Sequence, residues 1–152
     1  KDISEVSTMI MPYLRNLNIE VSDKKYLENI LSLGIERDYN LKNISNSLIY
    51  YFQEKLLYNN DDYQKLDKVK SLVIIDKILL KFNEIDFLDK SIISESVKSV
   101  CEELSLKFKD VGPVIRFALT ARFKAPSIDE LALTLGKSKV IQRLNDLKEF
   151  LT

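Results

Sequence analysis

Residues 127–151 read SIDELALTLGKSKVIQRLNDLKEFL, and this stretch decides the fold class. Ser127 and Glu130 have the spacing of a capping box, in which the hydroxyl takes one orphan N–H and the carboxylate reaches back for another. Ile128, Leu131 and Leu135 follow at helical spacing, and Gly136 suits the position just past a helix end. Val140, Ile141, Leu144, Leu147 and Leu151 then form one stripe of a second helix. Two short helices joined through a glycine, with no two-residue alternation, predict an all-α protein.

The same pattern extends back along the chain. Gly112-Pro113 punctuates, and Pro113 suits the first turn of a helix carrying Val114, Ile115, Phe117, Ala118 and Leu119. Ser91 starts a helix with the stripe Val97, Val100, Cys101 and Leu104. Leu72 to Ile75 could be a buried strand by composition. However, Ile75, Ile78, Leu79 and Phe82 continue at helical spacing, and Asp76 and Lys77 break any alternation, so 64–88 reads as helix. Residues 58–62 read as a loop. Further back lies the stripe Leu41, Ile44, Leu48, Tyr51 and Phe52. Before it comes Tyr26, Leu27, Ile30, Leu31 and Leu33, capped by Ser22 with Asp23 in the first turn. The first stripe is Ile3, Val6, Ile10, Tyr13, Leu14 and Leu17, with Pro12 predicting a kink or break.

Composition supports this reading and limits the function. The 152 residues contain only three Gly and three Pro, too few for the turns of a sandwich or barrel. The 23 Lys+Arg balance 23 Asp+Glu, which excludes a generally polybasic nucleic-acid binder but not a local basic face. The sequence has no His, so classical triads, His-ligated zinc and imidazole acid–base chemistry are excluded. One Cys, Cys101, forms no intrachain disulfide and fits a reducing compartment. No apolar run approaches ~20 residues, so no membrane span is expected, and no signal peptide is visible. The chain begins at Lys1 inside an amphipathic pattern, which points to a fragment of a longer protein.

Candidate chemistry is sparse. Gly136-Lys137-Ser138 looks like the end of a P-loop. That motif also needs a Gly five residues earlier, where Leu131 stands, and a preceding strand, where a helix is predicted. It reads as a helix end followed by the next helix. Cys101 lies on an apolar stripe with no His to activate it, and reads as a buried, inert thiol. Glu28, Glu54, Glu84, Glu102, Glu103 and Glu130 are scattered. The adjacent Glu102 and Glu103 diverge by about 100° and do not converge on a substrate. Arginine is scarce: Arg15, Arg37, Arg116, Arg122 and Arg143. Its planar fork suits phosphates and base edges, whereas lysine suits solvation. The residues by themselves lead to an all-helical binding or interaction module.

A resemblance goes further. Gly112-Pro-Val-Ile-Arg-Phe-Ala-Leu-Thr120, Ala125-Pro126, Leu131 to Gly136-Lys137 and Gln142-Arg143-Leu144 resemble, in order, the C-terminal end of bacterial glutamyl-tRNA synthetases. Met11-Pro-Tyr-Leu14 resembles the Pro-Phe-Leu at the start of that family's anticodon-binding region, and Glu36-Arg37 with Leu41 its Glu-Arg-x-x-x-Leu. The chain departs from the pattern at three points. Both Val114 and Ile115 stand between Pro113 and Arg116, Ala121 replaces a Gly, and Ala125 replaces a hydroxyl residue.

The resemblance implies an α-helical cage of two small packed subdomains, 1–60 and 61–152, that grips the anticodon loop of glutamate tRNA. Arg37 matches the arginine that approaches the third anticodon base, and Arg116 the arginine that contacts the loop. Ala125, Pro126 and Ile128 match a loop and helix start that packs on the bases. Such a site needs Arg forks, main-chain groups and apolar stacking rather than a broad basic plateau, so a neutral chain is compatible with it. The family's catalytic Rossmann domain carries a His-x-Gly-His motif that a His-free chain lacks, and Lys137-Ser138-Lys139 echoes its Lys-Met-Ser-Lys-Ser loop only superficially. The expectation is therefore a non-catalytic part of a glutamate–tRNA ligase, without cofactor itself, the parent using ATP and Mg. It would be a cytoplasmic monomer with no membrane partner. The competing expectation is a helical protein–protein interaction module without RNA binding.

Overall fold

A computed structural model describes residues 2–34 and 40–152; Arg37 lies outside the described residues. Among them every regular element is a helix. The chain divides into two compact units, Lys1–Glu54 and Lys55–Thr152.

The first unit holds α1 (Ile3–Asn16), α2 (Lys24–Gly34) and α3 (Leu41–Phe52), with α1 packed on both others. The core is drawn from the predicted stripes: Val6, Ile10 and Leu14 from α1, Leu27, Ile30 and Leu31 from α2, Ile44, Leu48 and Tyr51 from α3, whereas Tyr13 and Leu17, also expected on the α1 stripe, are exposed. Helix α1 runs unbroken through Pro12, which lies on its exposed side. Asp23 rather than Ser22 caps α2, accepting from the N–H groups of Lys25 (3.0 Å) and Tyr26 (3.2 Å). Its carboxylate reaches both donors and adds a negative charge at the positive helix end.

The second unit holds α4 (Asn60–Tyr63), α5 (Lys68–Glu84), α6 (Lys90–Leu104), α7 (Phe108–Thr120), α8 (Ile128–Leu135) and α9 (Lys137–Leu151). The expected loop at 58–62 contains the single turn α4, capped by Asn59. The apolar run 72–75 is helical, as the spacing of Ile75, Ile78 and Phe82 requires. Asp89 rather than Ser91 caps α6, and the Ser91 hydroxyl donates to it (2.7 Å). Helix α7 is the centre of this unit and packs on α5, α6, α8 and α9. Val111, Ile115, Phe117, Ala118 and Leu119 are fully buried.

The start of α7 departs from expectation. Gly112 and Pro113 lie inside the helix, which begins one turn earlier with Lys107 as its cap. Asp110 Oδ2 accepts from the Lys107 N–H (3.3 Å) and so closes the first turn. Pro113 forfeits only the bond to the Lys109 carbonyl, and the turn before it is held by Asp110 and by its ion pair with Lys70 (3.3 Å).

The box at 127–130 is also rewired. The Ser127 hydroxyl donates to Asp129 Oδ1 (2.5 Å), which itself accepts from the Glu130 N–H (2.8 Å). Glu130 pairs instead with Lys90 (3.6 Å). Gly136 joins α8 to α9 at φ 87°, ψ 154°. A Cβ there would meet nothing within 4 Å, so backbone angle rather than space selects glycine.

Candidate nucleic-acid interface

The site is built on α6, α7 and α8. Because α7 begins at Phe108, residues 108, 112 and 116 lie four apart along one face of it. Phe108 is 53% exposed and flanked by the exposed Lys107 and Lys109. The Arg116 guanidinium carbon lies 5.9 Å from its ring centroid, within cation–π range. Gly112 is the floor beneath the pair. A Cβ on it would stand 2.8 Å from Phe108 Cε2 and Cζ and 3.2 Å from Arg116 Nη2. Glycine in a helix interior costs about 0.5–1 kcal/mol against alanine, and here it lets the ring and the guanidinium close over the backbone. Arg116 is half-buried, and its Nε is buried with no acceptor among the described residues.

Beyond Phe108 lies an open cavity of about 680 Å³, lined by α6, the start of α7 and the start of α8. Val97, Cys101, Leu106, Phe108 and Ile128 give it apolar walls, and Lys98, Glu102 and Asp129 lie at its margin. Cys101 is half-exposed on this wall rather than buried. Burial, then the Glu102 and Asp110 charges, push its thiol up, so it stays protonated and unreactive. Burial raises the Asp129 carboxyl, but hydrogen bonds from Ser127, the Glu130 N–H and Ser94 outweigh it and hold the group low. Among the described residues no three acidic or Cys side chains come together to hold a metal.

The structure places the expected site residues unequally. Arg116 and Ile128 flank the same feature, separated by Phe108 and the cavity; Ile128 is only 4% exposed. Ala125 is half-exposed on the loop into α8, whereas Pro126 is buried. Phe108 escaped the sequence reading. Its signal was an aromatic between two lysines, the interleaving that suits nucleic acid.

This architecture is shared. A family model described as an anticodon binding domain matches residues 5–148. The chain belongs to the anticodon-binding domain family. The glutamate–tRNA ligase of Lawsonia intracellularis is 28% identical over 153 residues, covering 96% of this chain and 32% of that protein. The Buchnera aphidicola ligase is 26% identical over 146 residues, covering 96% and 31%. A crystal structure of a glutamate–tRNA ligase from Elizabethkingia meningosepticum superposes with a TM-score of 0.85 at 24% identity, over the whole of this chain and 30% of that one. The chain therefore spans about a third of the length of the relatives it matches. None of these matches supports the interaction-module alternative.

Within this anticodon-binding domain the motif residues sort by what they touch. Lys137, the lysine of the P-loop-like triplet, donates to the carbonyls of Ile85 (2.6 Å) and Asn83 (3.3 Å) and so caps the end of α5. Arg143 is 1% exposed and donates to the Leu119 carbonyl (2.6 Å), in the last turn of α7. Thr120 Oγ1 accepts from the Arg122 N–H (3.0 Å) and donates to the Arg116 carbonyl (2.8 Å). These three hold helix ends. Arg116 alone of the motif's cations in the described residues lies beside an exposed aromatic at the cavity.

Proposed function

We propose that this domain reads the anticodon loop of glutamate tRNA as part of a glutamate–tRNA ligase. The observation that carries the reading is the anticodon-binding family match over residues 5–148. The relatives' names supply the tRNA, and the arginine, exposed aromatic and apolar cavity of α6–α8 supply the chemistry. Unpaired bases offer open edges and π-faces, which guanidinium forks and aromatic rings meet without a broad basic plateau.

In this reading Arg116 contacts the loop, Arg37 reads the third base, and Ala125, Pro126 and Ile128 shape the wall against which the bases pack. Pro126 and Ile128 act from beneath the surface, setting the loop that Ala125 exposes. Attachment of glutamate, with its ATP and Mg, falls to the two thirds of such enzymes that this chain does not match. The domain acts as a cytoplasmic monomer.

The test is tRNA affinity of Arg37→Ala and Arg116→Ala, with helicity followed by circular dichroism. Each is expected to weaken binding by roughly 1–3 kcal/mol, the value of a bidentate base contact. Unchanged affinity in both folded variants would contradict the assignment.

A further inference from the structure

We infer that Phe108 is a stacking platform for one unpaired base of the RNA loop, aimed by Gly112 and backed by Arg116. The inference rests on the anticodon-loop reading and adds a contact to it. Phe108 is 53% exposed at the cavity rim, on the first turn of α7. The adjoining helix interior is arranged around it, with the Gly112 backbone beneath the ring and the Arg116 guanidinium 5.9 Å from its centroid.

An exposed ring with a cation beside it, lysines before and after it in sequence and an apolar cavity adjoining has the properties of a single-strand stacking site. It supplies a π-face for any base, positive charge for the phosphates and room for an unstacked nucleotide. Gly112 is then a positioning residue, since any Cβ there pushes on the ring at 2.8 Å.

The experiment titrates the chain and its Phe108→Tyr, Phe108→Leu and Gly112→Ala variants with a glutamate-tRNA anticodon stem-loop. A set of the same loops, each abasic at one position, accompanies it. Phe108→Tyr keeps the π-face and is expected to bind within about twofold of the parent. Phe108→Leu keeps apolar volume without the face and is expected to lose about five- to a hundredfold. Gly112→Ala is expected to bind more weakly at an undiminished melting temperature, a separation that a purely structural role would not produce. One abasic position is expected to weaken the parent chain while leaving Phe108→Leu unaffected.

Parent-like affinity in Phe108→Leu, or no abasic position that distinguishes the two, overturns the stacking role and leaves the anticodon reading intact. A parent chain that ignores every loop at millimolar RNA and low salt overturns both.

Discussion

Ala121 occupies the turn after α7 with φ 61° and ψ 23°, in the left-handed region. A side chain there costs roughly 1–2 kcal/mol, part of which glycine's larger loss of chain entropy offsets. Ala121→Gly is therefore expected to stabilise the domain by up to about 1 kcal/mol, visible as a higher melting temperature. The family pattern has Gly at this position, and the backbone angle explains why. The angle itself was not legible, because it arises from Thr120 and Arg122 closing the turn. Phe108 shows the same limit at the rim of the site. Its exposure depends on where α7 starts, and that is set by Asp110 accepting from the Lys107 N–H, a local cap that the more conspicuous Gly112-Pro113 pair obscured. Arg116, by contrast, was singled out from arginine scarcity and motif order, and the structure gives it an exposed aromatic neighbour.

At the scale of elements, apolar spacing was the most readable signal. Most buried apolar residues of α1, α3, α5 and α9 come from the predicted stripes, because a 3.6-residue period survives any packing arrangement, although Tyr13 and Leu17 at the end of the first stripe are exposed. Caps and proline positions were less legible. Ser22 and Asp23 are adjacent capping residues, and the charged one prevails. Gly112-Pro113 has the composition of a break, yet tertiary burial of α7 outweighs local propensity. The reading of Gly136-Lys137-Ser138 as a helix end followed by the next helix matches α8 and α9, but the tie of Lys137 to the end of α5, 52 residues away, could be seen only in the fold. Lys137→Met is expected to free the Ile85 and Asn83 carbonyls and cost about 0.3–1 kcal/mol of stability, read by chemical denaturation, while leaving RNA affinity unchanged. A loss of RNA binding in that variant at full stability would return Lys137 to the binding surface.

At the scale of the molecule, the absence of His removes the groups that ordinarily titrate between pH 5 and 8, so stability is expected to be flat there. Change is expected at both extremes. The Glu103 carboxylate is held low by its bond to Lys81 (2.7 Å), Asp89 by the Ile92 N–H, and Asp110 by the Lys107 N–H. Groups depressed on folding stabilise above their ordinary range, and that contribution is lost as pH falls through it and below. At the alkaline end burial, reinforced by Asp146, pushes Tyr58 up to about 12 between the rings of Phe117 and Phe150. A raised folded value means that its contribution is full below pH 10 and lost between pH 10 and about 12. Thermal melts across pH, with tyrosinate absorbance, are expected to show a plateau bounded by those two declines. A Tyr58 that ionises with the exposed tyrosines would contradict the packing of α7 and α9 around it.

No helix among the described residues is long and apolar enough to cross a membrane, and the family match over residues 5–148 is to an anticodon-binding domain. The most direct measurement follows backbone amide shifts as the chain is titrated with the anticodon stem-loop of glutamate tRNA, against the same loop with its third anticodon base changed from C to G. Saturable shifts at Phe108, Arg116 and residues 125–128, with a second set near Arg37 that differs between the two loops, are the predicted result. Absence of shifts at millimolar RNA in low salt, or shifts scattered over faces remote from α7 and Arg37, would contradict anticodon reading by this domain.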